Sequence, residues 1–193
     1  MNTGSAALRL ESTVLVIVDV QVGFVRDSSQ HVVPAIVHLV EAWQRQGGAT
    51  IVATFDNPVG SQYERISGWT KLRSPEEQAL AAELVPLARS ATQQIVKTTS
   101  SVFKAPGALE LFRTKGWTDV LLCGIDTDSC VYDTAADAYQ HGITPWMVVD
   151  ACASSGGQEY HEAALLLAAR NFGRRLQLSS SDVHRMLSEG AVQ

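Results

Sequence analysis

The sequence holds few cysteines, and they follow no pattern. Three of them, an odd number with no Cys-x-x-Cys pair, fit a reducing compartment better than a disulfide framework. No cysteines and histidines stand at structural zinc spacing. Lysine and arginine never form a run, and the net charge is −5. That excludes a basic stripe, so no nucleic-acid partner is expected. No apolar run approaches the roughly 20 residues that span a bilayer, so no membrane partner is expected either. Met1-Asn2-Thr3-Gly4-Ser5 lacks a basic signal-peptide segment, and the expectation is a cytoplasmic protein. Internal repeats and low-complexity linkers are also missing. The 193 residues therefore read as a single domain, with residues 1–11 as a loose lead-in.

What is present is alternation. Thr13–Val20 is a continuous, mostly β-branched run, as expected of a strand buried on both faces. Val33–Gln46 has helical apolar spacing and stops at Gly47-Gly48. Strands are expected at Ala49–Phe55, Gln93–Lys97, Asp119–Cys123, Ile143–Val149 and Arg175–Leu178. Helices are expected from the Ser74 cap to about Glu83, with Pro86 beyond its end, and at Pro106–Lys115, Cys130–His141, Gln158–Asn171 and Ser181–Ser188. Asp56–Ser74 and Ala151–Gly157 read as loops. This order predicts an α/β fold: a mostly parallel sheet of about six strands with helices on both faces. In such folds the site lies outside the carboxyl ends of the strands. Asp19, Asp56, Lys97, the Gly124–Cys130 turn and Asp150 fall there.

Cys130 stands where a strand, a tight turn and a helix start meet. A helix N-terminus lowers a thiol pKa and offers N–H donors to an oxyanion. A carboxylate such as Asp19 can take the thiol proton, and a lysine such as Lys97 stabilises negative charge nearby. Together these groups suit hydrolysis of a C–N bond through a thioester-type intermediate. Each has a plainer reading: Cys130 as a small packing residue, Asp19 as a loop cap, Lys97 as a solvated edge lysine. Cys123 and Cys152 read as structural. The long 56–74 stretch suggests a functional loop, and its Tyr63, Ile66 and Trp69 suit a pocket wall. Phe24, Tyr63, Trp69 and Phe103 are the candidate substrate-binding aromatics, with a core position as the alternative for each.

Asp19-Val20-Gln21-Val22-Gly23-Phe24, Lys97–Phe103 and Cys123–Val131 resemble, in order and spacing, three motifs of the isochorismatase-like cysteine hydrolases. The likeness covers roughly residues 12–180. It implies a three-layer Rossmann-like α/β/α sandwich and a triad of Cys130, Asp19 and Lys97. It also implies a cis peptide at Ile125–Asp126, and an oxyanion hole from the N–H groups of Asp126 and Cys130. Many relatives form dimers or larger oligomers, so a homo-oligomer is the expectation.

The sequence departs from the family in places. Nicotinamidases of this family carry an Asp/His/His metal site near the second strand. Here Asp56 is followed by Asn57-Pro58, and no histidine lies between His38 and His141. No metal and no cofactor are therefore expected. Family isochorismatases that cleave a vinyl ether need not keep the cysteine. Its presence favours a small-molecule amide, carbamoyl or ureido substrate. The alternatives are an isochorismatase, with Arg26, Arg65, Lys71 or Lys104 holding an anionic substrate, and a non-catalytic oligomeric binding protein. Asp126 either meets substrate or caps the helix.

Overall fold

Val14, Val16 and Val18 point to one side of their strand and Leu15 and Ile17 to the other, and all five are buried. The strand thus needs apolar cover on both faces, and the computed structural model provides it. It describes residues 8–190. Six strands lie parallel: β1 (Thr13–Val18), β2 (Ala49–Phe55), β3 (Gln93–Lys97), β4 (Asp119–Ile125), β5 (Thr144–Ala153) and β6 (Gln177–Leu178). Their order is β3-β2-β1-β4-β5-β6. The direction of winding reverses between β1 and β4, which is where open α/β sheets place a binding crevice.

Helices α1 (Val33–Arg45), α2 (Pro75–Gln78), α3 (Val85–Arg89), α4 (Ala108–Lys115), α5 (Tyr132–Gln140), α6 (Gln158–Ala168) and α7 (Ser180–Gly190) fill the connections. One core packs Leu15 and Ile17 against Ile36, Leu39, Trp43, Ala88 and Val183, so α1, α3 and α7 share a face. The other packs Val14, Val16 and Val18 against Phe112, Ala135, Ala138 and Ala168, from α4, α5 and α6. The small side chains of α5 let it approach the sheet closely. The predicted three-layer α/β/α architecture is the one found.

Several boundaries move, each for a physical reason. Residues 1–7 of the expected lead-in lie outside the described residues, while Leu8 joins the core and Leu10–Ser12 form a short helical turn. β1 ends at Val18, because Asp19 takes a left-handed backbone conformation (φ 50°). The Ser74 helix is only one turn long, despite a complete capping box. An antiparallel bridge from Leu80 to Gln21 pulls the following chain away. Pro86 does not follow a helix but sits in the first turn of α3, a position proline favours. β5 runs on through Asp150 to Ala153. The Asp150 carboxylate accepts the N–H and hydroxyl of Ser180 at 2.7 and 3.0 Å, at the start of α7.

Candidate active site

Three strand ends converge. Lys97 closes β3 and faces Phe55 in register on β2. Two strand spacings, about 10 Å, separate β3 from β1, and a lysine is long enough to cross most of that gap. It passes the Phe55 ring, with Nζ 5.0 Å from the centroid, and ends 2.5 Å from Oδ2 of Asp19. Nζ also donates to the Thr99 carbonyl at 3.2 Å. Lys97 is thus a buried ion-pair partner, not a solvated edge residue. Asp19 does not cap the loop after it; its Oδ1 makes no hydrogen bond of standard geometry. The Cys130 thiol interacts with both charges in a looser contact.

Cys130 reaches this pair because of Gly124. At Gly124 β4 lies so close to β1 that a Cβ atom would stand 2.1 Å from the Val18 carbonyl oxygen, and the residue has φ 129°. Only glycine allows both. The next peptide, Ile125–Asp126, is cis. Thr127–Val131 then form one wide helical turn that leads into α5. Among the described residues the Asp126 N–H has no hydrogen-bond acceptor. Thr134 ties this turn to the lysine loop: its hydroxyl donates to the Cys130 carbonyl at 2.7 Å and accepts the Val102 N–H at 3.2 Å.

Electrostatics correct one expectation. Burial, with the Asp19 carboxylate adding to it, pushes the Cys130 thiol well above its ordinary range, and Lys97 only partly opposes this. The helix start does not yield a low-pKa thiol at rest, because desolvation outweighs it. Burial also raises the Asp19 carboxyl, against the pull of Lys97. Lys97 is lowered by burial, but Asp19 and Cys130 bring it to a net rise. Cys123 and Cys152 are buried, and burial raises both thiols, Cys152 to about 12. They belong to the packing.

A cavity of about 480 Å³ opens onto Cys130. Phe24, Tyr63 and Trp69 line it as expected, and Phe55, hidden in a strand pattern, joins them. Phe24 stacks on Trp69 at 6.2 Å, and Phe55 meets Tyr63 edge-on at 5.2 Å. Phe103 does not line the cavity. It is buried against Phe112, 4.7 Å away, in the core beneath α4. Ile66 is 83% exposed and forms no wall. Arg26 and Lys71 line the cavity, whereas Arg65 bonds the Gly60 carbonyl and Lys104 pairs with Asp137.

Two buried amides that composition did not single out hold the wall in place. Gln21 donates to the carbonyls of Phe55 and Gln78 and accepts the Phe55 N–H at 2.7 Å. Asn57 donates to the carbonyls of Trp69 and Lys71 and accepts the Ser61 hydroxyl. Gln21 stands inside the first of the three family-like motifs, whereas the only sequence signal of Asn57 is its place two residues past an expected strand end. Asp56 accepts the Gln78 side-chain amide at 2.7 Å, so it serves the same scaffold. The Asp126 carboxylate makes no cap bond to the turn it opens. It accepts instead from the N–H and hydroxyl of Ser155.

Comparison with known proteins agrees with this fold. An uncharacterized isochorismatase family protein, YwoC of Bacillus subtilis, is 28% identical over 179 residues, covering 90% of this chain and 93% of that one. The nicotinamidase PncA of Bacillus subtilis has a similar structure, with TM-score 0.77 and 24% identity over 87% of this chain and 99% of that one. N-carbamoylsarcosine amidase of Thermoplasma acidophilum gives TM-score 0.75 and 23% identity over 88% and 96%. The isochorismatase domain family model matches residues 13–178, from the first residue of β1 to the last of β6. The chain belongs to the isochorismatase family of hydrolases.

Proposed function

We propose that the protein is a metal-independent cysteine hydrolase that cleaves a C–N bond of a small amide, carbamoyl or ureido compound. The observation that carries this reading is the fully buried Asp19–Lys97 pair in contact with the Cys130 thiol, which itself lines an aromatic cavity. A lone thiolate is costly to create there. Moving a proton from Cys130 to Asp19 keeps the net charge of the three groups unchanged, and Lys97 stays cationic beside the new thiolate.

The thiolate adds to the substrate carbonyl carbon. The N–H groups of Asp126 and Cys130 receive the oxyanion, at about 3–4 kcal/mol per donor. Collapse breaks the C–N bond, and Asp19 gives its proton to the departing nitrogen. Water, deprotonated by Asp19, then attacks the thioester, and the thiolate leaves and regains the proton. The donor set near the end of β2 supports a route without metal: Asp56 is held by Gln78 and is followed by Asn57 and Pro58.

A screen of small amides and ureas for ammonia release tests the reading. Cys130→Ala is expected to remove turnover by at least about a thousandfold, and intact-mass analysis should trap an acyl adduct on Cys130 of the wild type. Full activity in Cys130→Ala would sink the covalent route. Arg26 and Lys71 in the cavity favour a second reading, hydrolysis of an anionic vinyl ether. Turnover of such a substrate that survives Cys130→Ala would select it.

A further inference from the structure

Asp126 has a side chain that the chemistry above leaves unused. Its carboxylate is fixed from one side: Oδ1 accepts the Ser155 N–H at 2.6 Å and Oδ2 accepts the Ser155 hydroxyl at 2.9 Å. Ser155 is held in turn, because its carbonyl accepts the Ser28 hydroxyl at 3.0 Å. Asp126 and Cys130 line the same cavity. Each carboxylate oxygen has two acceptor sites, and Ser155 occupies one on each. Burial pushes the Asp126 pKa up to about 6, so at pH 8 the group is ionised and only accepts. Arg26 and Lys71 line the cavity too, and either cation can hold an anionic substituent.

We infer that Asp126 is a specificity-determining residue. Its carboxylate accepts a hydrogen bond from a substrate N–H beside the carbon that Cys130 attacks, and it repels a carboxylate at that place. Primary amides and ureido compounds are thereby selected. The inference deepens the proposed function and rests on Cys130 being the reactive thiol.

Two alkylating reagents of similar size test it without a known substrate. Iodoacetamide carries N–H donors, and iodoacetate carries a carboxylate. Each forms an S–C bond to Cys130 as iodide leaves. Rates are read by mass spectrometry on the full chain at pH 8. Asp126→Asn is expected to lower the iodoacetamide-to-iodoacetate rate ratio at Cys130 by about tenfold, and Asp126→Glu to restore much of it. Asp126→Ser replaces Asp126→Asn if circular dichroism shows that variant unfolded. An unchanged ratio overturns the inference. So does equal slowing with both reagents, which a disturbed turn alone produces. A wild-type Cys130 that reacts with neither reagent removes the nucleophile, and the inference falls with it.

Discussion

Nζ of Lys97 lies 2.5 Å from Oδ2 of Asp19, and neither side chain has any exposed surface. The two residues are 78 positions apart in the chain, so the contact exists only once β1, β2 and β3 are in register. A pair this deep offsets its desolvation only while both charges are present. Lys97→Met is expected to destabilise by about 3–5 kcal/mol, and Asp19→Asn by a comparable amount. The double variant should be more stable than either single one, a strongly non-additive cycle. Urea denaturation of the four proteins measures it, and simple additivity would show the pair to be uncoupled.

Gly124 should tolerate no side chain. A Cβ there would meet backbone of β1, not a movable side-chain tip. Gly124→Ala is therefore expected to cost more than about 3 kcal/mol or to prevent folding. Thermal unfolding checks this, and a near-normal midpoint would mean that β1 and β4 can separate.

Asp126 gives a pH signature. Burial raises its pKa from 3.8 to about 6 in the folded chain. Around and between those values the folded state holds more proton than the unfolded state, so this group's contribution to stability falls as pH rises and levels off only above about pH 7. The full effect is about 3 kcal/mol. Asp126→Asn removes it, so the variant should gain on the wild type between pH 4 and 7. Parallel stability curves for the two proteins would contradict this.

Asn57 is expected to matter for the cavity wall and little for the sheet. Asn57→Ala frees the carbonyls of Trp69 and Lys71. Hydrogen exchange in residues 57–73 should quicken by about tenfold or more, while β1 and β4 stay protected. Equal loosening of the strands would show that Asn57 holds more than the loop.

Much of this architecture was legible because β-branched runs ending at Gly or Asp mark buried parallel strands. Alternation with helices then places Asp19, Lys97 and Cys130 at one edge of the sheet. Other features depend on contacts far away in the chain. Phe103 and Phe24 are alike in sequence, yet Phe103 has Phe112 to pack against and Phe24 has Trp69. The Ser74 cap is visible, but the bridge from Gln21 to Leu80 that ends its helix is not. The rise in the Cys130 pKa comes from desolvation, which local helix-end reasoning omits.

The proposed reacting groups stand on strand ends and one turn, whereas Tyr63, Trp69 and Lys71 come from a single loop hung on Gln21 and Asn57. Much of the cavity wall thus occupies a stretch of chain separable from the reacting groups, with Asp126 the one selective group that shares their turn. Descent with modification can rewrite residues 58–72 while the floor stays untouched, so a lineage of such proteins can change its diet without relearning how to cut.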